Sequence, residues 1–497
     1  MPKRSGGPSI PLLREPRTET GRPLYRRLYR RIREAILRGA IPPGSRLPSA
    51  RTMAREEGIS RNTVEAAMRQ LRAEGFVVRR VGSGTWVAED LPERLLRPKA
   101  EAVSRERESV GGGSPGLSAR GRRVADAGGE PAFPRGQIFA PCVPAVEAIP
   151  LEGWKRIVAR HARRRSSALL TPPPEGLPML REAVAGYLHM NRGVRCGPEQ
   201  VVIVDSTQQA ISLVCRMLLD PGDEVWMEDP GYRPARRAFV ACGARPVPVP
   251  VDGDGMNVER GIRRAPGARL AYVTPSHQYP MGVTLSLARR LELLEWAERA
   301  DAWVLEDDYD SELRHDGRPL ASVQGVDTRG RVIYAGTFNK ILFPSLRIGY
   351  LVLPEGLVEP FARAKELADG FTAPLFQAVL AEFIHEGHFA AHLRRVREVY
   401  RKRRDAFVSR AGHDLPAPAR LGSTDAGMHC VVRLPDGVDD ASISDRARRR
   451  GVASPALSRY CMVDARRGVL VHYGNAPVPE IERGIGILAN VLNAALD

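Results

Sequence analysis

The first regular pattern along the chain is a stripe of apolar residues at four-residue spacing, which places one apolar face on a helix. The stripe consists of Leu24, Leu28, Ile32 and Ile36. Gly39 marks the end of this helix, and two more short helices are predicted, one between Ser49 and Gly58 and one within residues 59–75. Two apolar runs around Gly82-Ser83-Gly84 then predict a compact β-hairpin.

From about residue 136 onward, short apolar strands alternate with helical stretches. The clearest strands are residues 201–204, 224–227, 270–274, 303–306 and 332–334. This alternation favours a mixed α/β domain built around a largely parallel sheet.

The segments outside these two patterned regions have a different character. Residues 89–135 combine mixed charge with few apolar residues and a glycine-rich run, which predicts a flexible linker. Residues 1–22 are basic and rich in proline and glycine, and we expect a disordered arm. The predicted domains are therefore residues 23–88 and 136–497.

The composition excludes several classes of protein. The chain has 497 residues, of which 43% are hydrophobic and 27% charged, so it has room for several domains and is not disordered throughout. No apolar run reaches the ~18 residues of a membrane span and the N-terminus lacks the apolar core of a signal peptide, so we expect a cytoplasmic protein without a membrane partner. The six cysteines form no CxxC pair, so the sequence predicts neither a disulfide framework nor a metal site.

The charge is distributed unevenly. The net charge is +17, with 69 arginines and six lysines. Residues 24–88 contain 14 arginines, no lysine and five glutamates, which leaves +9 on a small segment. A small basic segment beside a larger one that is nearly balanced indicates a nucleic-acid-binding module joined to a domain with another role.

Three short helices followed by a β-hairpin form an α+β winged helix-turn-helix, which binds double-stranded DNA. The N-terminal side chains of its third helix reach base edges in the major groove, where Arg can pair with guanine and Asn with adenine. In this sequence those side chains are Ser60, Arg61, Asn62 and Thr63.

The order and spacing of residues 23–25, 43–49, 60–64 and 82–85 resemble the GntR-type winged helix. A group of DNA contacts is implied by that resemblance: Arg46, Arg51, Ser60, Arg61, Thr63 and Gly84. A winged helix used only for protein contacts is the alternative.

One lysine of the large domain, Lys340, stands between apolar residues just after a strand that is predicted to be buried. A desolvated lysine amine is a usable nucleophile and can form a Schiff base with an aldehyde. The strand of residues 303–306 leads into Asp307 and Tyr309, at the edge where open α/β sheets bind ligands. An Asp there can keep a pyridinium nitrogen protonated, and a Tyr hydroxyl can bond the ring phenolate.

A phosphate site is predicted from a second strand end. Residues 201–204 run into a turn that contains Ser206, Thr207 and Gln208 before a helix, and a helix N-terminus binds phosphate through its N–H groups and dipole. Arg347 can add a charge-assisted contact. A lysine that captures an aldehyde, a partner for a ring nitrogen and a phosphate cradle together describe pyridoxal 5′-phosphate (PLP).

The order of these residues resembles fold-type I aminotransferases, and from residue 23 onward the chain resembles the MocR-type regulators, in which a GntR-type winged helix is fused to an aminotransferase-like domain. Residues 228–232, 275–282, 306–312 and 340–350 carry the resemblance. It implies a Schiff base between Lys340 and PLP, with Asp307 at the pyridine nitrogen. It places Tyr309 at the phenolate oxygen and Tyr232 against the ring face. The residues that it places around the phosphate are Ser206, Thr207, Gln208, Thr337 and Arg347.

Two positions depart from the usual aminotransferase pattern. Tyr279 stands where Asn commonly bonds the phenolate, and Asn339 precedes the lysine where Ser is commoner. Both changes leave efficient transamination in doubt. Among the histidines, His277 has a motif position that admits a place in the site, whereas His429 and His472, in apolar strands, are interpreted as core residues with satisfied hydrogen bonds.

The expected function is a PLP-dependent transcriptional regulator. Its aminotransferase-like domain senses PLP, or an amine or amino-acid effector, through Lys340 and controls operator binding, with Arg459 as the candidate partner of an effector carboxylate. We expect a homodimer, and RNA polymerase is a further candidate partner. One alternative is a working aminotransferase with an accessory DNA-binding domain; another is a relic domain that only dimerises.

Overall fold

The computed structural model describes eight stretches of the chain. They are residues 23–80, 82–89, 116–128, 136–141, 143–163, 172–315, 321–463 and 466–496. The chain divides into two compact units, Met1–Pro115 and Gly116–Asp497. The predicted arm of residues 1–22 and most of the predicted linker lie outside the described residues.

The first unit has the three helices and the hairpin that the sequence predicts. Its elements are α1 (Leu24–Leu37), α2 (Ala50–Glu57), α3 (Arg61–Ala73), β1 (Val77–Arg80) and β2 (Gly84–Val87). Three residues of the predicted stripe are buried in α1, namely Leu28, Ile32 and Ile36, whereas Leu24 is 53% exposed. Ser49 caps α2, and Gly58 ends it with a φ of 61°. Strands β1 and β2 pair antiparallel, which confirms the hairpin, although residue 81 within it is not described.

The second unit is built around an eight-stranded sheet. Its strands are β3 (Val201–Val204), β4 (Glu224–Asp229), β5 (Arg245–Asp252), β6 (Gly255–Met256), β7 (Leu270–Val273), β8 (Trp303–Asp308), β9 (Val332–Thr337) and β10 (Gly349–Val352). They lie in the order β3-β10-β9-β8-β7-β4-β5-β6. Strands β9, β8, β7, β4 and β5 run parallel, whereas β10 is antiparallel to both neighbours and β6 to β5. The five predicted strands and the largely parallel sheet are confirmed.

Helices pack around this sheet and around a smaller antiparallel sheet that follows it. The helices are α4 (Ala119–Ala127), α5 (Leu151–Arg163), α6 (Pro178–Arg192), α7 (Thr207–Leu218), α8 (Arg233–Cys242), α9 (Val258–Arg264), α10 (Leu287–Arg299), α11 (Val323–Val326), α12 (Glu355–Asp369), α13 (Pro374–His385), α14 (His388–Asp414), α15 (Asp440–Arg449) and α16 (Val478–Leu496). The smaller sheet consists of β11 (Arg420–Leu421), β12 (Cys430–Arg433) and β13 (Gly468–Val471). No helix in the described stretches is long and apolar enough to span a membrane.

Helix α4 corrects the predicted linker. The Ser118 hydroxyl caps it by accepting a hydrogen bond from the Gly121 N–H at 3.0 Å, and the helix packs against α8. The prediction of a flexible linker through residue 135 is therefore wrong for residues 119–127. Its polar composition misled the prediction because α4 buries no side chain of its own and depends on contact with another helix.

Candidate functional site

A pocket lies at the carboxyl ends of β7, β8 and β9, where helix α7 begins. It contains about 610 Å³ of empty space, including the part that opens to solvent. Residues just before β12 and just after β13 also line it. The lining residues are Thr207, Tyr232, Tyr272, Thr274, Tyr279, Asp307, Tyr309, Thr337, Lys340, Met428, His429 and His472. Several residues predicted for the cofactor site are thus brought together.

Lys340 lies in this pocket, three residues beyond the end of β9. It is partly buried, and no hydrogen bond or ion pair joins its amine to another residue in the described part of the chain. The preceding Asn339 fixes the loop, because its amide donates to the Asp205 carbonyl at 3.3 Å and its side-chain oxygen accepts from the Ile348 N–H at 3.1 Å. Asn339 therefore has a structural role, and the amine of Lys340 remains available to an aldehyde.

Asp307 is buried at the end of β8 with one unpaired oxygen. Its Oδ2 accepts a hydrogen bond from the Tyr272 hydroxyl at 2.6 Å, whereas its Oδ1 is buried and has no hydrogen-bond partner among the described residues. Burial raises the pKa of Asp307 to about 7, and the neighbouring Asp308 adds to the rise. A buried acceptor without a partner is costly, so a ligand N–H is the natural complement to Oδ1.

The other two acids at the end of β8 have structural partners. Glu306 accepts hydrogen bonds at 2.9 Å from two backbone N–H groups at the start of α11. Asp308 forms an ion pair with the buried Arg192 at 2.6 Å. Of the three consecutive acids, only Asp307 lines the pocket.

The predicted phosphate cradle surrounds the N-terminus of α7. Ser206 caps this helix by accepting from the Gln209 N–H at 3.3 Å, and the Arg347 guanidinium lies 3.4 Å from the same hydroxyl. Thr207, at the start of the helix, and Thr337, at the end of β9, line the pocket. Arg347 has a φ of 54°, a left-handed conformation that costs a non-glycine residue about 1–2 kcal/mol. The surrounding structure tolerates this strain and keeps a cation beside the cradle.

Four predicted residues are not among the lining residues: Ser206 and Arg347, which contact each other at the start of α7, and Gln208 and Arg459. Gln208 is exposed, and its amide donates to the Pro234 carbonyl at 3.4 Å. Arg459 is also exposed, in a 3₁₀ turn (Leu457–Tyr460), and does not line the pocket. The residue of this turn that approaches the site is Tyr460, whose hydroxyl lies 3.4 Å from that of Tyr279.

Tyr309 lines the pocket, but its hydroxyl already has a partner. It donates to the His277 carbonyl at 2.8 Å and lies 3.1 Å from the Nδ1 of the same residue. His277 in turn bonds Asp310 at 2.9 Å and is not one of the lining residues. His277, Asp310 and His429 each place one potential metal-ligand atom within 4.8 Å of the others, a cluster that the sequence did not predict.

Two histidines interpreted as core residues line the pocket instead. His429 and His472 lie side by side at the ends of β12 and β13, with ring centroids 5.2 Å apart. His429 Nε2 lies 3.3 Å from the Pro280 carbonyl, whereas His472 Nδ1 is buried without a hydrogen-bond partner in the described structure. Burial lowers the pKa of both rings, to about 3 for His472, so both are neutral at pH 7. The interpretation of His472 as a satisfied core histidine is wrong.

Glu228, at the end of β4, holds one wall of the pocket in place. It accepts hydrogen bonds from the Thr274 hydroxyl at 2.7 Å and from the Gln278 amide at 3.0 Å. Burial raises the pKa of Glu228 to about 7. The neighbouring Asp229 accepts from the backbone N–H groups of residues 462 and 463 at 2.7 and 3.1 Å. The two acids thus tie the end of β4 to two distant loops, which sequence reasoning missed.

In the winged helix, the side chains predicted to reach DNA lie at the start of α3. The Ser60 hydroxyl accepts from the Thr63 N–H at 3.1 Å, which caps the helix, and the Ser60 and Thr63 hydroxyls are 2.8 Å apart. Arg61 pairs with Glu65 at 2.9 Å on the surface, and Asn62 is exposed. An exposed pair of this kind contributes little to stability, so Arg61 can exchange partners at low cost.

Gly84 of the wing and the neighbouring Arg46 are two further residues that are predicted to contact DNA. Arg46 and Arg51 are both exposed. A Cβ on Gly84, which has a φ of 99°, would stand 3.2 Å from the Arg46 Nε, so glycine allows this guanidinium to lie against the wing.

Comparison with known proteins assigns both units. The family of bacterial regulatory proteins, gntR family, matches residues 24–87, and the aminotransferase class I and II family matches residues 129–478. The probable rhizopine catabolism regulatory protein MocR of Rhizobium meliloti is 42% identical over 95% of this chain and 94% of its own length. The chain belongs to the MocR-type transcriptional regulators.

Two further proteins that are similar to this chain bear on its cofactor. The pyridoxine biosynthesis transcriptional regulator PdxR of Corynebacterium glutamicum is 31% identical to this MocR-type chain, over 94% of the chain and 95% of its own length. The α-aminoadipate aminotransferase LysN of Thermus thermophilus, solved with N-(5′-phosphopyridoxyl)-L-leucine, is 29% identical and matches 73% of this chain and 93% of its own length, with a TM-score of 0.68. The aminotransferase fold and this phosphopyridoxyl complex imply PLP as the cofactor.

The residues in the pocket of the MocR-type chain fit that cofactor. The unpaired Asp307 Oδ1 complements a pyridinium N–H, and the amine of Lys340 is available to an aldehyde. The N-terminus of α7, with Ser206 and Arg347, provides N–H groups and a cation for a phosphate.

Proposed function

We propose that this MocR-type regulator binds PLP at Lys340 and that the state of the pocket controls operator binding by the winged helix. The observation that carries the proposal is the presence, in one pocket, of a lysine amine without a partner in the described structure and a buried carboxylate oxygen without a hydrogen bond. The fusion of this pocket to a GntR-family winged helix connects it to DNA.

Each residue has a distinct task in this proposal. PLP supplies an aldehyde that condenses with primary amines and an electron-poor ring. Lys340 would hold the aldehyde carbon, and Asp307 would hold the proton on the ring nitrogen. Arg347 and the N-terminus of α7 would bind the phosphate. Tyr232 would lie against the ring face.

Regulation requires that a ligand bind two conformations of the protein with different affinity. A coupling free energy of about 1–3 kcal/mol would change DNA affinity about 5–150-fold. A primary amine that competes with Lys340 for the aldehyde is a ligand of the required kind, because it would free the lysine side chain and occupy the same pocket.

We infer that the regulator is a homodimer. Leu367, Phe371 and Phe376 are close in sequence and 92%, 44% and 40% exposed. Exposed large apolar side chains are candidates for an interface. A two-fold dimer would present two winged helices to two half-sites of an operator.

The cofactor assignment is tested with Lys340→Ala. After incubation with PLP and gel filtration, the wild type should retain a visible absorption band that borohydride removes, and the variant should lack it. Lys402→Ala is the matched control, because the Lys402 side chain is 68% exposed and pairs with Glu398 on its own helix. A borohydride-resistant band that persists in Lys340→Ala would contradict the assignment.

A working aminotransferase is the second candidate function, favoured by the likeness to LysN and by the shared presence of Lys340 and Asp307 in the pocket. The discriminating measurement is turnover with an amino donor and a keto acceptor. More than one product per subunit would favour the enzyme, whereas a stoichiometric half-reaction or none would favour the regulator.

A further inference from the structure

We infer that the effector of this regulator is a hydroxylated primary amine without a carboxylate group. The inference rests on the proposed PLP site and begins with the charges around it. Among the lining residues of the described structure, Lys340 is the only cation and Asp307 the only anion. With PLP bound, both side chains are committed to the cofactor, and the remaining lining consists of neutral groups.

The arginines that neighbour the lining are positioned for other contacts. Arg347 lies 3.4 Å from the Ser206 hydroxyl, at the phosphate cradle. Arg233 lies over the Tyr460 ring, with its guanidinium carbon 6.0 Å from the ring centroid. Arg459 is exposed. None of the three is a lining residue, so the lining of the described structure itself offers no guanidinium to an effector carboxylate.

A carboxylate would therefore enter this pocket without a counter-charge. Removing a carboxylate from water is strongly unfavourable unless a cation or several N–H donors replace the lost hydration. Proteins that bind carboxylates tightly commonly use the bidentate fork of an arginine. An amine that lacks the carboxylate avoids this cost and still reacts with the aldehyde.

The neutral lining groups suit hydroxyl groups on the ligand. His472 Nδ1 is buried without a hydrogen-bond partner among the described residues, and His472 lines the pocket beside His429. A neutral imidazole offers one donor and one acceptor nitrogen, which matches a hydroxyl group and does not neutralise a carboxylate. The Tyr279 side chain also lines the pocket and brings a hydroxyl group, whereas the Thr274 hydroxyl already donates to Glu228.

Two matched probes test the inference on the full-length, PLP-loaded protein. Serine and 2-amino-1,3-propanediol differ only in that a CH₂OH group replaces the carboxylate. Each is titrated while the visible absorption spectrum and the thermal unfolding midpoint are recorded. We expect the diol to bind at least about tenfold more tightly than serine. Tighter binding of serine, or no response to the diol at saturating PLP, would overturn the inference.

A failure of the proposed function and a failure of this inference give different results in the same titration. If the purified protein retains no visible PLP band before any amine is added, the PLP site itself is wrong and the inference falls with it. If the band is present and the diol is not preferred, the PLP site stands and only the effector class is wrong.

Variants of His472 assign the preference to this side chain. His472→Leu should lower diol affinity by about fivefold or more while the PLP band is retained, and His472→Arg should reverse the order in favour of serine. His472→Asn, which keeps polar groups, serves if the leucine variant does not fold. His413→Leu is the control, because the His413 side chain is 84% exposed. Unchanged preference in all His472 variants would contradict its role.

Discussion

At the scale of single residues, the ends of β4 and β8 carry buried acids beside the pocket. Burial raises the pKa of three of them to about 7: Glu228, Glu306 and Asp307. A carboxyl group whose pKa is higher in the folded than in the unfolded protein binds extra protons on folding, so stability is lost as pH rises from the unfolded pKa through the folded one. For Asp307, a pyridinium partner would reverse this effect by favouring the ionised form.

The substitution Asp307→Asn tests this charge argument on the PLP-free chain. Each pH unit below the folded pKa carries about 1.4 kcal/mol, so between pH 5.5 and pH 8 the variant should gain about 2 kcal/mol in free energy of unfolding relative to the wild type. Urea unfolding at the two pH values measures the difference. Asp436→Asn, at an exposed position, should show no such gain. A parallel pH dependence of wild type and Asp307→Asn would contradict the raised pKa.

Some residues of the pocket could be predicted from the sequence, and others could not. Lys340 and Asp307 were predictable because apolar neighbours and a strand end are visible in the chain itself. His472 was not, since only the pairing of β13 with β12 brings it beside His429. Asn339 departs from the usual aminotransferase pattern, and its structural role is visible only in the fold, because one of its two hydrogen bonds reaches the distant Asp205.

At the scale of elements, helix α3 combines its own start signal with the proposed DNA contact. Ser60 caps the helix through Thr63, and the same hydroxyl stands among the residues proposed to reach DNA. The two roles can be separated, because Asp caps a helix as well as Ser does but brings a negative charge towards DNA phosphates.

We expect Ser60→Ala to lower the stability of the winged helix by about 1 kcal/mol and to weaken operator binding. Ser60→Asp should restore the stability and leave operator binding weak. Thermal unfolding and fluorescence anisotropy with operator DNA give the two readouts. Ser286→Ala, which removes the cap of α10 in the second unit, should leave DNA binding unchanged. Full recovery of operator affinity in Ser60→Asp would place Ser60 outside the DNA interface.

Helices and strands with a clear apolar pattern could be predicted from the sequence. Those that depend on contacts with distant parts of the chain could not. The helices of the first unit and the five apolar strands of the second follow the sequence patterns closely. Helix α4 falls within the predicted linker, because it buries no side chain of its own and its partner α8 is distant in the chain. Strand β10 was not predicted, and its antiparallel place between β3 and β9 depends on pairing with strands distant in the chain.

At the scale of the whole molecule, the proposed dimer predicts that Leu367, an exposed apolar residue near the end of α12, lies in the interface. Leu367→Glu would place a charge in that interface and should convert the protein to a monomer, which sedimentation velocity would detect. Glu359→Lys, on the same helix and with a side chain 75% exposed, is the control. A Leu367→Glu protein that remains dimeric at micromolar concentration would exclude this surface as the interface.

The central claim is that the pocket around Lys340 controls DNA binding. The direct test is a titration of operator DNA with the full-length protein, with and without PLP, at one fixed salt concentration, because the phosphate contacts make affinity depend on salt. The account predicts that PLP changes the affinity of the wild type about 5–150-fold and has no effect on Lys340→Ala. Equal affinity of the wild type in both conditions, or an undiminished response in Lys340→Ala, would contradict it.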